Sequence, residues 1–552
     1  MTNKEIANEF RFLGDIMELH GENPFKIRSY QNAYITLRKL DRPLAEMDPQ
    51  EMEAIKGVGK AIAEKIGELL QTGKMSTLEQ YREKTPAGIQ EMLTVKGFGP
   101  KKVQAVWKDL GIETVGELLY AVNENRLIEL KGFGQKTQEE LKQKLEYFQR
   151  SQDQFHFSAL ESAANNLVSL LGSGLKDTRI ALCGAIRRCA NTLDGIDILA
   201  ASSATVQEMA AAANLKEGKG GDQPTHLLTE DDLPVRLYRC QPEEFGSKLF
   251  RYSASGEFMD AFLAKYPGLD FRNLPEEQQV FDKAGIPFIP PEMREQEWAL
   301  DLAAGNDLPE LIGEADIRGV IHSHTTYSDG IATLRDMAET ARALGYDYIG
   351  ITDHSKSAFY ANGLQPDRVL AQMEEIDALN RELAPFRIFK GIESDILNDG
   401  SLDYDPEILG RFDFIIASVH SNLRMDEEKA TRRILTAVEN PYTSILGHPT
   451  GRLLLSRQGY PLDHKKIIDA CAANGVSIEL NANPYRLDLD WTWIPYALEK
   501  GVLISINPDA HSKEGIRDIH FGVRSARKGG LTAAACLNAR SADGFLAAVR
   551  KG

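Results

Sequence analysis

Nine residues in the second half of the sequence have the types and spacing to do metal chemistry: His322, His324, Asp329, His354, Glu393, His420, His448, Asp509 and His511. Each stands at or just beyond the end of a short apolar run. His322 and His324, like Asp509 and His511, are spaced i and i+2, which on a strand puts both side chains on one face. A lone histidine at a strand end is an ordinary structural residue. Six of the chain's 11 histidines gathered with three carboxylates at such positions make a donor set. Imidazole mixed with carboxylate suits zinc, manganese or iron better than magnesium or calcium alone. Clusters of such ions activate a water and stabilise charge on phosphate.

The elements that must position these donors are regular. Seven apolar runs, "RGVIHSHT", "YDYIGITDH", "FRIFKGIES", "FDFIIASVH", "TSILGHP", "VSIELNA" and "VLISINPDAH", alternate with helical stretches such as "TLRDMAETARALG" and "HKKIIDACAANG". Near-continuous apolar strands separated by helices predict a parallel sheet, and this many repeats predict a barrel. In such barrels the reactive side chains collect at the C-terminal strand ends. The segments "HSHTTYSDG", "TDHS", "SVHSN" and "DAHS", with Glu393 and His448 between them, resemble the polymerase-and-histidinol-phosphatase (PHP) domain. That resemblance fills all nine expected ligand positions, with Val320 as a nearby departure at a non-ligand position. It implies manganese or zinc, about three ions in the site.

The first 150 residues read as short helices in which one motif recurs: "IKGVGKAIAEKI" at 55–66, "VKGFGPKKVQAV" at 95–106 and "LKGFGQKTQEEL" at 130–141. Each glycine pair permits a tight turn that presents backbone N–H groups at a helix N-terminus, a ready anion site. A single copy reads equally well as a plain helix connection. Three copies with the same lysine placement resemble helix-hairpin-helix modules, which hold the DNA backbone without reading bases. Gly57, Gly59, Lys60, Gly97, Gly99, Lys101, Gly132, Gly134 and Lys136 are the expected contacts. With "NPFKIRSYQNAYITLRKL" ahead of it, the first copy resembles the lyase-type domain of family X DNA polymerases. That resemblance places a Schiff-base lysine at Lys65, which is also an unremarkable residue for an exposed helix face.

The middle of the chain resembles the nucleotidyltransferase palm of the same family in "RIALCGAIRRCANTLDGIDILAA", "PVRLYRCQPEEFGSKLFRYSAS" and "VFDKAGIPFIPPEMRE". The departures fall on the chemistry. Where the family carries Asp-x-Asp, this chain has Gly195 and Asp197, with Asp194 three residues before Asp197 and so on the opposite strand face by alternation. Arg236 replaces the third aspartate, and Ala185 a small hydroxyl residue. One carboxylate does not assemble two metal ions, so the palm is expected to keep its fold and lose its catalysis. Arg187 and Arg188 then either bind DNA phosphate or form a salt-bridged turn.

Length sets three or four domains as the prior. The expected architecture is multidomain α+β and α/β: a lyase-type hairpin domain at 1–85, further hairpins at 86–152, a degenerate palm at 153–305, a linker at 306–316 and a seven-stranded PHP barrel at 317–552. The formal net charge of −17 argues against nucleic acid until charge distribution is considered. Five cysteines without a CxxC pair suggest neither disulfides nor a thiolate zinc site. With no long apolar run and no signal-like start, a cytoplasmic chain without membrane contact is expected, a monomer in the simplest case. Order and extent match bacterial family X polymerases that carry a PHP domain. The resemblance implies a repair 3′–5′ exonuclease acting on gapped, nicked or 3′-ended DNA irrespective of sequence. A gap-filling polymerase, a phosphomonoesterase of small molecules and a DNA-binding scaffold are the competing readings.

Overall fold

The computed structural model describes every residue except 96, 129, 131, 132, 151–153, 176, 177, 223, 551 and 552, and omits the side chains of 147–150 and 219–222. The chain divides into two compact units, 1–149 and 150–552.

The first unit is helical. Helix Asn3–Leu19 starts at a capping box, Thr2 with Glu5, and buries Ile6, Phe10, Leu13 and Met17 completely, a 3-and-4 spacing that makes one apolar stripe. Helices Lys60–Thr72 and Pro100–Leu110 end on left-handed Gly73 and Gly111.

Among its described residues the second unit holds three sheets. A short pair, β1 (Phe155–His156) with β3 (Thr192–Leu193), borders a five-stranded sheet of β2 (Arg179–Cys183), β4 (Ile196–Ala201), β5 (Lys216–Asp222), β6 (Thr225–Leu228) and β7 (Pro234–Cys240). Its order is β2-β4-β7-β6-β5, with only β4 and β7 parallel. The larger sheet is parallel throughout and runs in chain order: β8 (Gly319–Val320), β9 (Tyr348–Ile351), β10 (Arg387–Asp395), β11 (Phe414–Ser418), β12 (Ile445–Leu446), β13 (Ser477–Asn481) and β14 (Ile504–Asn507). Just past the first and last strands, His324 N–H donates to the Ala510 carbonyl at 2.8 Å and Ala510 N–H to that of His322 at 3.2 Å, nearly closing a barrel. Phe545 packs on Tyr348, Phe389 and Phe414 at ring separations of 5.3, 4.8 and 5.3 Å. Tyr348 and Phe414 begin their strands, so this aromatic plug fills the end of the barrel opposite the histidines.

The stretch 306–316, read as a linker, packs down: Ile312 is fully buried and its N–H donates to the Leu531 carbonyl at 2.9 Å. Palm and barrel also form one body. Helix Ile519–Lys528 of the barrel faces the palm with Arg524 on Glu161 (3.0 Å), Arg527 on Glu292 (2.9 Å) and the buried Lys528 on Glu295 (2.8 Å).

Candidate metal centre

All nine expected ligands converge at the C-terminal end of the barrel, and every one is buried or nearly so. Three overlapping groups within this unit hold ligand atoms within 4.8 Å of one another: His322, His324 and Asp509; His324, Asp329, His354 and His511; and His354, Glu393 and His420. Glu393 lies at their junction. Its Oε1 stands 3.0 Å from His448 Nε2 and 3.1 Å from His420 Nε2, and its Oε2 3.0 Å from His354 Nδ1. Asp509 adopts φ +54°, a strained conformation for a non-glycine residue, and is held by Asn481 Nδ2 at 3.0 Å.

The electrostatics are those of a site built around positive charge. Burial pulls His322 down, yet Asp509, Glu479 and Glu393 overcome it and raise its pKa well above the usual value. Burial likewise opposes, and Glu393 with Asp395 reverses, the shift of His420, which rises to about 10. His324 falls to about 3 through burial and the neighbouring His511 and His354. Burial pushes the Asp329, Glu393 and Asp509 carboxyls up, and the surrounding imidazoles hold them well below their normal range. His322 Nε2, His324 Nδ1, Asp329 Oδ2, His354 Nδ1, Glu393 Oε2 and His448 Nδ1 are buried without a well-formed hydrogen bond. Orphaned polar atoms of this kind cost roughly 1–3 kcal/mol each. Their number and their mixed imidazole and carboxylate chemistry fit bound cations.

Sequence reasoning missed the residues that orient the ligands. Glu479 Oε2 sits 2.8 Å from His322 Nδ1, and Asp395 Oδ1 sits 2.5 Å from His420 Nδ1. With a metal bound, each carboxylate would accept the Nδ1 proton and leave Nε2 as the atom free to ligate. Asp353 accepts from Thr325 and Ser328 and so shapes the loop bearing Asp329. The signal was available for Asp395, two residues beyond Glu393 on the same strand face.

In the palm, Arg236 meets both aspartates. Its Nε and Nη2 donate to Asp197 at 2.6 and 2.9 Å, and its Nη1 and Nη2 to Asp194 at 2.9 and 2.7 Å. The expectation that Asp194 points away is corrected: it lies in the bend between β3 and β4, where strand alternation does not apply. The guanidinium holds the Asp194 carboxyl below its ordinary range. Gly184, at φ +66°, permits this packing, since a Cβ there would lie 2.1 Å from Asp197 Oδ2. A Cβ at Gly195 would stand 2.9 Å from the Pro234 carbonyl oxygen, so the backbone itself resists a second aspartate on this strand. Arg187 pairs with Glu277 at 2.6 Å and Arg188 with Glu295 at 3.1 Å, the ion pairs that a salt-bridged turn would make.

In the helical unit, Gly57 (φ +91°) and Gly97 (φ +82°) make the tight turns, and Gly59 and Gly99 begin helices without a side-chain cap. A Cβ at Gly59, Gly99 or Gly134 would meet nothing within 4 Å. Lys60, Lys101 and Lys136 are exposed beside them. Gly132 lies outside the described residues. Lys65 is half-buried on its helix between buried Ile62 and Ile66.

Hairpin turns with open helix N-termini, a palm-like mixed sheet and a ligand-lined parallel barrel define a multidomain chain of the hairpin, palm and PHP class. Family models agree: a helix-hairpin-helix domain matches residues 1–75, a SAM-like helix-hairpin-helix tandem 89–146 and a PHP domain 321–483. The DNA polymerase/3′-5′ exonuclease PolX of Bacillus subtilis (strain 168) is 34% identical over 562 residues, covering 98% of each chain. The chain therefore belongs to the PolX family. A "Probable phosphatase" of Acetivibrio thermocellus is 32% identical over 202 residues, 34% of this chain and 78% of that protein. "Probable phosphatase Teth514_1060" of Thermoanaerobacter sp. is 28% identical over 228 residues, 39% and 88% respectively. Among the described residues no helix is long and apolar enough to cross a membrane.

Proposed function

We propose that this chain is a metal-dependent 3′–5′ exonuclease of DNA repair that works through its PHP barrel, while its palm no longer polymerises. The convergence of nine buried donors at one end of the barrel, with five imidazoles within 3.7 Å of Glu393, carries this reading. His322, His324, Asp329, His354, Glu393, His420, His448, Asp509 and His511 would hold the ions, manganese or zinc by donor type. When bound, such ions supply water activation and charge stabilisation at a phosphodiester. The chain's own part is positioning. Glu479 and Asp395 fix two imidazoles, Asp353 holds the Asp329 loop, and burial of the cluster strengthens every electrostatic contact there. The turns at Gly57, Gly59, Gly97 and Gly99, with Lys60, Lys101 and Lys136, would grip phosphates without reading sequence. The domain boundaries and a lyase role for Lys65 belong to the same proposal.

The palm reading rests on Arg236, whose cation occupies the space between the two aspartates that metal ions would need. A phosphomonoesterase is the second reading, favoured by the phosphatase relatives that match about a third of the chain. A labelled primer on gapped DNA, with manganese and all four deoxynucleotides, decides among them. Shortening that disappears in the His324→Ala, His354→Ala double variant is expected. Lengthening that needs Asp197 would overturn the palm reading. An intact primer, with turnover of a simple phosphomonoester, would favour the phosphatase.

A further inference from the structure

The loop after His354 carries a feature that the ligand cluster does not use. Residues 355–364 turn back at once: Leu364 N–H donates to the His354 carbonyl at 2.9 Å, and Gly363 and Ala361 N–H both donate to that of Ala358 at 3.0 Å. A Cβ at Gly363 would stand 2.0 Å from the Ser355 carbonyl oxygen, so the turn admits no larger residue there. Ala358 and Ala361 are fully buried, and Asn362 is tied down by the Arg368 guanidinium, which donates to its carbonyl at 2.9 Å. From this fixed turn Phe359 projects into solvent, 83% exposed. Its neighbour Tyr360 inclines its ring at 61° to the His354 imidazole, centroids 6.2 Å apart, so the turn adjoins the cluster.

An aromatic ring on a loose tip folds onto the nearest apolar surface. Here the turn's backbone is held by its own hydrogen bonds and the ring stands out from it, so less backbone freedom is lost when a partner binds. Its place selects the partner. A phosphodiester handled at the cluster brings with it the sugars and bases on either side, and a base is the planar apolar face one nucleotide offers. Stacking on an aromatic ring is indifferent to sequence, as the hairpin turns are. Ile331, 53% exposed, lies on the loop whose N–H donates to the His511 carbonyl at 2.9 Å, a second apolar contact on a neighbouring ligand loop.

We propose that Phe359 is the base-stacking platform of the metal cleft, holding the unpaired base of the terminal nucleotide while the adjoining phosphodiester lies at the ligand cluster. This rests on the nuclease reading above and adds a residue that positions its substrate.

The test crosses ring removal with base removal. Wild type, Phe359→Ala and Phe359→Trp are given two single-stranded oligodeoxynucleotides with manganese, one ending in an ordinary nucleotide and one in a tetrahydrofuran abasic analogue. Phe359→Ala is expected to raise KM for the base-bearing end about tenfold and to leave KM for the abasic end unchanged, with Phe359→Trp restoring the first. In parallel, the emission of the Phe359→Trp variant, compared with wild type, is expected to be quenched by a phosphorothioate-linked oligodeoxynucleotide that resists cleavage. Equal effects of Phe359→Ala on both ends, no effect on either, or an emission that does not respond would overturn the proposal. A wild-type protein that cleaves neither oligonucleotide would instead overturn the nuclease reading, and the quench would then decide the stacking by itself.

Discussion

Replacing Glu479 with glutamine should disable the metal centre without touching a ligand. The carboxylate is fully buried and faces four groups. Oε2 lies 2.8 Å from His322 Nδ1 and 2.8 Å from Asn507 Nδ2, while Oε1 accepts from His448 N–H and Asn481 Nδ2, both at 3.1 Å. Glutamine keeps the shape and turns one oxygen into a donor. Whichever way the amide faces, two contacts lose their acceptor, at roughly 1–3 kcal/mol for each buried donor left unpaired. The sum is about 2–6 kcal/mol at most, before relaxation. If the amide nitrogen faces His322, the imidazole proton moves to Nε2, the atom directed at Glu393 and Asp509 from 3.5 Å, and that nitrogen ceases to be a ligand. If it faces His448, the loop after β12 is released instead. Either outcome should weaken metal affinity by about 10–100-fold. Titration calorimetry with manganese and with zinc, beside thermal unfolding with metal and with chelator, measures both effects. A variant with wild-type affinity and an unchanged midpoint would refute the account of Glu479 as the residue that sets the His322 tautomer.

Arg236→Leu should lower stability by about 3 kcal/mol, read by thermal unfolding, because it strands the buried Asp197 carboxylate; Asp194 is half-exposed and adds little. The same variant should gain no nucleotide incorporation. Lys60→Glu with Lys101→Glu should weaken binding to DNA of any sequence and reduce the slope of log affinity against log salt by about 1 per lost phosphate contact, measured by fluorescence anisotropy. Burial lifts the Asp518 carboxyl to about 7, with His520 pulling the other way. A raised folded-state pKa means stability is greatest below the ordinary carboxyl range and declines as pH climbs to about 7. Asp518→Asn should therefore stabilise by about 1 kcal/mol at pH 8, discounted because the residue is partly exposed, and should change nothing at pH 4; unfolding midpoints across that range check it.

The barrel was legible because its strands are buried on both faces and each ends in a residue with metal chemistry, so one-dimensional pattern and three-dimensional site coincide. Asp509 and His511 could be placed from "DAH" alone. What the sequence could not show were contacts made across the barrel. Glu479 is one carboxylate among many until the closing barrel brings its side chain to His322, 157 residues away. The palm shows the opposite limit. Alternation predicted that Asp194 would point away, and the backbone turned before the strand began, so Arg236 gathers both aspartates. Arg187 and Arg188 carry no local mark that distinguishes a phosphate grip from an ion pair, because their partners, Glu277 and Glu295, come 90 or more residues later.

The seam between His324 and Ala510 bears on how the protein comes into being. The first pair of ligands and the last are brought together by hydrogen bonds between residues about 190 positions apart. During synthesis the hairpin modules emerge first and can fold while the ribosome is still far from His511. A partly made chain can thus possess its glycine turns and half its ligands and still lack a centre, because the strand that completes it has not been translated. On the proposed reading, hydrolytic capacity would switch on in one late event, when the barrel closes, and a truncated or stalled chain would carry the grip without the blade.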